Sequence, residues 1–120
     1  MSTKILVVDD DAVSLKNVSR FLQDEGYQVE EARDGNQALQ KLEEESFDLV
    51  LSDIAMPGID GFRLSERVRS NSLSTTVILM TGQPPEQASA VAEHLVLKPL
   101  IFEKLLQKIR DVLDRKNPSR

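Results

Sequence analysis

The stretch that decides the fold is FDLVLSDIAMPGIDG, residues 47–61. It begins with a short apolar run, reaches a single acid at Asp53, and then breaks into a loop marked by Pro57, Gly58 and Gly61. A run this short and this apolar is typical of a strand buried on both faces of a parallel sheet. In open α/β sheets, ligands bind beyond the carboxyl ends of the strands. Asp53 is therefore the first candidate for a functional residue.

Four further segments have the length and composition of strands. The apolar runs at residues 5–8 and 76–80 are typical of buried strands, and residues 95–97 form a shorter run of the same kind. Residues 27–32 alternate between apolar and polar side chains, which favours a half-exposed strand at the edge of a sheet. Together with the run before Asp53, the chain is predicted to form five strands.

Amphipathic helices are predicted between these strands. Asp11 is assigned as a cap of the first helix, and Gly26 is placed to end that helix. Asp34, with Gln37 three residues later, predicts a capping box for the second helix, and Asp60 predicts an N-cap for the third. The last helix has the clearest helical spacing. Its apolar stripe comprises Phe102, Leu105, Leu106, Ile109, Val112 and Leu113.

Strands that alternate with helices predict an α/β fold with a parallel sheet. Right-handed crossovers leave few topologies, and the flavodoxin-like order 2-1-3-4-5, in a three-layer sandwich, puts the amphipathic second strand at an edge. A fourth helix that begins near Pro84 and Pro85 has little room before the fifth strand, so we expect it to be short or irregular. One domain is predicted over residues 1–116, with residues 117–120 as a polar tail or the start of a linker.

Composition excludes several classes of function. The net charge of −5 argues against a direct nucleic-acid or anionic-membrane surface. The chain has no cysteine, which excludes disulfides, a thiol nucleophile and a zinc–thiolate site. No apolar run reaches the length of a signal-peptide core or a membrane span. We therefore expect a cytoplasmic domain.

The predicted strand order brings three acids, Asp9, Asp10 and Asp53, to one edge of the sheet. Carboxylates this close repel one another unless a cation neutralises them, and Mg²⁺ prefers oxygen ligands. Thr81 ends the fourth strand with a hydroxyl donor, and Lys98 ends the fifth with a positive charge. These are the parts of a phosphoryl-transfer site, in which Asp53 is the nucleophile and Lys98 and Thr81 bind phosphoryl oxygens.

Five short motifs support this interpretation, because they occur in order from the first strand to the last. They are ILVVDDD at residues 5–11, DIAMPG at 53–58, DG at 60–61, TG at 81–82 and KP at 98–99. In this order they resemble the receiver domains of response regulators, the CheY-like partners of sensor histidine kinases.

The resemblance implies a metal site and a phosphorylation site. According to this resemblance, Asp9, Asp10 and Asp53 bind Mg²⁺ (or Mn²⁺). The backbone carbonyl of Ala55 is a further metal ligand. Asp53 accepts a phosphoryl group from a sensor histidine kinase or a histidine phosphotransfer protein.

The resemblance also implies a switch instead of a metabolic enzyme. Thr81 and Lys98 would couple phosphorylation to a conformational change that regulates an unidentified output partner or effector domain, with phosphorylation-dependent homodimerisation as one form of output. The Lys98–Pro99 bond is expected to be cis, a state readily accessible only before proline. Leu95 replaces the family's usual aromatic residue, and the segment between Thr81 and Lys98 is shorter than usual. We therefore expect an intact phosphorylation site and a non-standard output face.

Three alternative functions fit the sequence less well. Residues 9–13 (DDDAV) resemble the opening of haloacid-dehalogenase-type phosphatases, with Asp9 as nucleophile, but Val13 replaces the usual Thr or Ser and there is no room for a cap domain. A flavodoxin-like FMN carrier would need a hydroxyl- and glycine-rich loop after the first strand, where three acids repel phosphate. A pseudo-receiver used only for docking would not need Asp53 and Lys98.

Overall fold

The structure is a computed structural model of the chain that describes residues 3–71, 74–82 and 95–116. These ranges contain five strands and four helices, here numbered in chain order. They are β1 (Lys4–Val8), α1 (Ala12–Asp24), β2 (Gln28–Ala32), α2 (Gly35–Glu44), β3 (Leu49–Asp53), α3 (Gly61–Asn71), β4 (Thr76–Thr81), β5 (Leu95–Leu97) and α4 (Phe102–Lys116). The helix expected between β4 and β5, and the tail at 117–120, lie outside the described residues. Within the described ranges, every helix is too short or too polar to span a lipid bilayer.

The five strands form one parallel sheet in the order β2-β1-β3-β4-β5. This confirms the predicted flavodoxin-like topology, including the edge position of the amphipathic strand β2. Val8 of β1 pairs with Ser52 of β3, so that Asp9 comes level with Asp53 at the carboxyl edge. The register therefore places the first and third strand ends side by side.

Aspartate side chains cap the first three helices, as the sequence predicts. Asp11 accepts a hydrogen bond from the backbone N–H two residues later (3.2 Å), and Asp60 accepts one from the N–H three residues later (2.9 Å). Asp34 accepts from the Gln37 N–H at 2.8 Å. The Gln37 side chain accepts from the Arg33 N–H at 2.9 Å, one residue earlier than a standard capping box. Asp34 and Gln37 therefore both stabilise the start of α2, although the Gln37 side chain bonds to Arg33 instead of to Asp34.

Alternation along the central strands divides the core between the two faces of the sheet. Ile5 and Val7 of β1 point to one buried cluster, and Leu6 and Val8 point to the other. The first cluster is covered by α1 and α4, and the second by α2 and α3. From the predicted stripe of the last helix, Leu105, Ile109 and Val112 are buried, Phe102 and Leu113 pack against the first cluster, and Leu106 is half-buried. The result is the expected three-layer sandwich.

Candidate functional site

Three carboxylates converge at the carboxyl edge of the sheet. Asp9 and Asp10 follow β1, and Asp53 is the last residue of β3. One carboxylate oxygen from each of the three lies within 4.8 Å of the other two. Asp9 is buried, Asp10 is exposed, and the Asp53 side chain is 13% exposed. The acids that the sequence predicts to meet do meet, and their cluster opens to solvent on one side.

Lys98 brings a positive charge into this cluster from the end of β5. Its Nζ lies 3.4 Å from Asp53 Oδ2 and 3.8 Å from Asp9 Oδ2. The Lys98–Pro99 peptide bond is cis, as predicted. The Lys98 backbone N–H donates a hydrogen bond to the Thr81 carbonyl at 2.8 Å, which ties the loop after β5 to the end of β4. One ammonium group is therefore shared between two of the three acids.

Burial and charge raise the pKa of Asp9 above its ordinary value. Desolvation is the largest cause, and the nearby carboxylates of Asp53 and Asp10 add to it. Two groups lower the pKa of Asp9 and so act against this increase. They are the Asp11 backbone N–H, which donates to Asp9 Oδ1 at 2.9 Å, and the Lys98 ammonium. Three carboxylates (−3) and one ammonium (+1) leave the ionised cluster with a formal charge of −2. Further positive charge is therefore favourable here.

The donor set fits a hard divalent cation. Mg²⁺ takes oxygen ligands, usually one or two carboxylates together with waters and phosphate oxygens. The cluster supplies carboxylate oxygens at mixed burial, with one side accessible to water. Ala55 is an exposed residue two positions beyond Asp53, in the loop that follows β3. The Ala55 carbonyl therefore lies in the loop that begins directly after Asp53.

Thr81 is the last residue of β4 and is half-buried. In the ladder between β3 and β4, Asp53 pairs with Met80, so Thr81 lies one residue further toward the carboxyl edge. On its other side Thr81 pairs with Leu97. The register therefore places Thr81 between β3, which ends at Asp53, and β5, which leads to Lys98.

Ser52 is a residue of this site that sequence reasoning missed. Its buried hydroxyl donates a hydrogen bond to the Asp53 carbonyl at 2.8 Å, which holds the backbone of the candidate acceptor. A signal was available, because a serine interrupts an otherwise apolar strand directly before the acid. Gly61 also approaches the Asp53 backbone closely; the sequence marks it as a loop residue but gives no sign of this contact.

The site is an open edge instead of a deep cavity. A cleft of about 250 Å³ between α1 and the start of α4 reaches Asp9 and Lys98. A larger cleft of about 550 Å³ lies at the opposite, amino edge of the sheet between α2 and α3, away from the acids. The exposed position of the cluster suits a reaction with a group presented by another macromolecule better than it suits enclosure of a small substrate.

The fold and the site together define a class, a flavodoxin-like α/β domain with an acid cluster and a lysine at the carboxyl edge. The model of the response regulator receiver domain family matches residues 5–110, and the chain belongs to this family. The response regulator MprA of Mycolicibacterium vanbaalenii is 32% identical over an alignment 124 residues long, gaps included, which covers 99% of this chain and 54% of that protein. The chain spans about half the length of the curated relatives it matches.

Solved structures agree with this assignment. A CheY-like response regulator receiver domain protein from Methanospirillum hungatei is 33% identical, with a TM-score of 0.93 over 100% of both chains. The response regulator TrrA from Thermotoga maritima, solved in complex with Mg²⁺–BeF, is also 33% identical. Its TM-score is 0.83, over 91% of this chain and 97% of that chain.

Proposed function

We propose that this receiver domain accepts a phosphoryl group on Asp53, in a reaction that depends on a divalent cation. The donor is a phosphohistidine of a sensor histidine kinase or of a histidine phosphotransfer protein. The observation that carries the proposal is the Asp53 carboxylate beside the Lys98 ammonium, inside a cluster of acids at the open edge of the sheet. Membership of the response regulator family supports it.

The chemistry is a direct displacement at phosphorus. A carboxylate oxygen of Asp53 forms the new P–O bond as the P–N bond to the donor imidazole breaks, and the imidazole leaves with the electron pair and takes up a proton. Lys98 stabilises negative charge on the phosphoryl oxygens, and the Thr81 hydroxyl donates a hydrogen bond to one of them. Asp9, Asp10, Asp53 and the Ala55 carbonyl would hold the cation, which when bound supplies charge neutralisation at those oxygens.

The proposed role of the domain is regulatory. Phosphorylation changes the charge and the hydrogen bonding at the ends of β3, β4 and β5, and this change is passed to an output partner or effector domain. Homodimerisation that depends on phosphorylation is one form that the output can take. The only chemistry proposed for the chain is its own phosphotransfer and autodephosphorylation.

Mass spectrometry tests the proposal. Incubation with acetyl phosphate and Mg²⁺ is expected to add one phosphoryl group to the intact protein, and EDTA is expected to prevent it. Asp53→Asn, which keeps the size of the side chain but removes the nucleophile, is expected to abolish labelling. If Asp53→Asn still takes the label while Asp9→Asn does not, Asp9 is the nucleophile and the phosphatase-like alternative replaces this proposal.

A further inference from the structure

The loop between β3 and α3, residues 54–60, connects the candidate acceptor to the next helix and contains Ala55. Its start is fixed by the Ile54 N–H, which donates to the Met80 carbonyl at 3.0 Å. Its end is fixed by the Gly61 N–H, which donates to the Ile54 carbonyl at 2.9 Å. The Met56 side chain is only 9% exposed and belongs to the second core cluster. The loop is thus closed by a backbone hydrogen bond and anchored to the core by the Met56 side chain.

Gly61 brings the first residue of α3 directly against the acceptor backbone. A Cβ added to Gly61 would lie 2.5 Å from the Asp53 carbonyl oxygen and 2.8 Å from the Ile54 Cα. Both neighbours are backbone atoms, so neither can rotate away as the end of a side chain could. Any residue other than glycine must therefore displace either α3 or the end of β3.

Gly35 makes the corresponding contact from α2. A Cβ added to Gly35 would lie 2.7 Å from the Ile59 Cβ and 2.8 Å from the Ile59 carbonyl oxygen. Ile59 is half-buried and packs against the second core cluster, which leaves it little room to yield. The Asp34 cap fixes the start of α2. The far end of the loop is therefore held by α2, as its near end is held by α3.

We propose that Gly35 and Gly61 are positioning residues for the phosphorylation site. By allowing two helix N-termini to close on residues 54–60, they hold the Asp53 backbone and the Ala55 carbonyl in place before any cation binds. The proposal rests on the proposed function, because it assigns its effect to the cation and phosphorylation site described there. A preorganised loop binds a cation more tightly, since binding then has no ordering cost to meet.

Three single substitutions separate positioning from general stability. Gly35→Ala and Gly61→Ala add a methyl group where no space exists. Gly82→Ala adds one that, chain neighbours apart, would meet no atom of the described residues within 4 Å. The first two are expected to weaken Mg²⁺ binding, measured by calorimetry, by about tenfold, the size typical of lost support for metal ligands. The control is expected to bind like the wild type. Circular dichroism and thermal unfolding report whether each variant still folds.

A purely structural role would change the melting temperature and leave Mg²⁺ affinity unchanged. If Gly35→Ala folds and binds Mg²⁺ as tightly as the wild type, the proposal is wrong. Phosphorylation of the wild type by acetyl phosphate is measured in the same experiment. If the wild type takes phosphate and the glycine variants keep their Mg²⁺ affinity, only the glycine proposal is wrong. If the wild type neither binds Mg²⁺ nor takes phosphate, the proposed function is wrong and the glycine proposal with it.

Hydrogen exchange in the wild-type protein gives a test that needs no variant to fold. The Gly61 amide, which is hydrogen-bonded to the Ile54 carbonyl, reports closure of the loop. Its protection is expected to be the same with EDTA and with saturating Mg²⁺. Protection that develops only with Mg²⁺ would mean that the cation orders the loop, and would overturn the proposal.

Discussion

At Asp9, burial opposes ionisation of the carboxyl group, whereas the Asp11 N–H and the Lys98 ammonium favour it. The side chain is about as buried as a core leucine, and its pKa is raised chiefly by that desolvation. In the range between its ordinary value of 3.8 and its raised folded value, the folded state therefore binds more protons than the unfolded state. The favourable contribution of the protonated group is complete below the unfolded pKa and is lost as the pH rises through the folded pKa. Without a cation, the ionised Asp9 is thus a cost to folding at neutral pH.

The first prediction follows from this cost. Asp9→Asn keeps a carbonyl oxygen for the Asp11 N–H but removes the charge, so the metal-free protein is expected to become more stable by on the order of 1 kcal/mol. Urea unfolding at neutral pH with EDTA measures the gain. The difference should shrink as the pH falls, and Mg²⁺ should stabilise the wild type more than the variant. A less stable variant would show that the contact with Lys98 outweighs desolvation.

Two buried serines give a second prediction with a matched control. Among the residues that the structure describes, the Ser19 hydroxyl is the buried side-chain group without a hydrogen-bond partner, and Ser19 is 3% exposed. Ser19→Ala is therefore expected to raise the free energy of unfolding by about 1 kcal/mol. Ser52→Ala, which removes a made bond to the Asp53 carbonyl, is expected to lower it by a similar amount. Equal losses for the two variants in urea unfolding would contradict this account.

Residues whose role is local were predictable, and residues whose role depends on distant contacts were not. Asp11 and Asp60 act on backbone N–H groups two and three residues away, so spacing alone predicts them. Gly35 touches Ile59, across the chain, and the need for glycine there appears only once α2 is placed beside the loop. No local pattern carries that information.

At the scale of elements, strand ends were predicted more accurately than strand starts. β5 has the predicted bounds, and β4 ends at Thr81, the residue predicted to end it. β2 begins at Gln28 instead of at position 27, because Tyr27 belongs to the turn that follows α1. Its N–H donates a hydrogen bond to the Leu22 carbonyl there. The turn itself depends on Gly26, whose φ of 98° suits glycine. Apolar periodicity locates an element, but hydrogen bonds to its neighbours decide where it begins.

The start of α2 gives a third prediction at this scale. Asp34→Ala removes the acceptor for the Gln37 N–H and is expected to cost about 1 kcal/mol of stability. Asp34→Asn is the control, since its side-chain oxygen can still accept that bond. The two variants are compared by urea unfolding. If Asn is as destabilising as Ala, the negative charge matters there and the cap bond does not.

For the whole molecule, the order of short apolar runs followed by acids was enough to predict both the sheet and the edge at which the site forms. Parallel strands place their carboxyl ends together, so the acids after β1 and β3 had to meet once the strand order was known. The edge strand shows a feature that periodicity did not predict. Its Glu30 and Glu31 pair with Lys41 of α2 (3.0 Å) and Lys16 of α1 (3.1 Å). Charged side chains of this kind protect a free sheet edge from pairing with other chains.

The output face stays a prediction at this scale. Leu95 is half-buried at the start of β5, where it pairs with Leu79, and no aromatic ring stands in its place. The shortened segment at residues 83–94 lies outside the described residues. A non-standard switch is therefore expected from the sequence. The proposed phosphorylation site is different, because its three acids and Lys98 lie close together in the structure.

The measurement that tests the central claim most directly is chemical trapping of the phosphorylated residue. Borohydride reduces an aspartyl phosphate to homoserine, so treatment after incubation with acetyl phosphate and Mg²⁺ marks the acceptor permanently, and tandem mass spectrometry of the peptides locates it. Homoserine is expected at position 53, with none when EDTA is present. Homoserine at position 9 or 10, with aspartate unchanged at position 53, would contradict it.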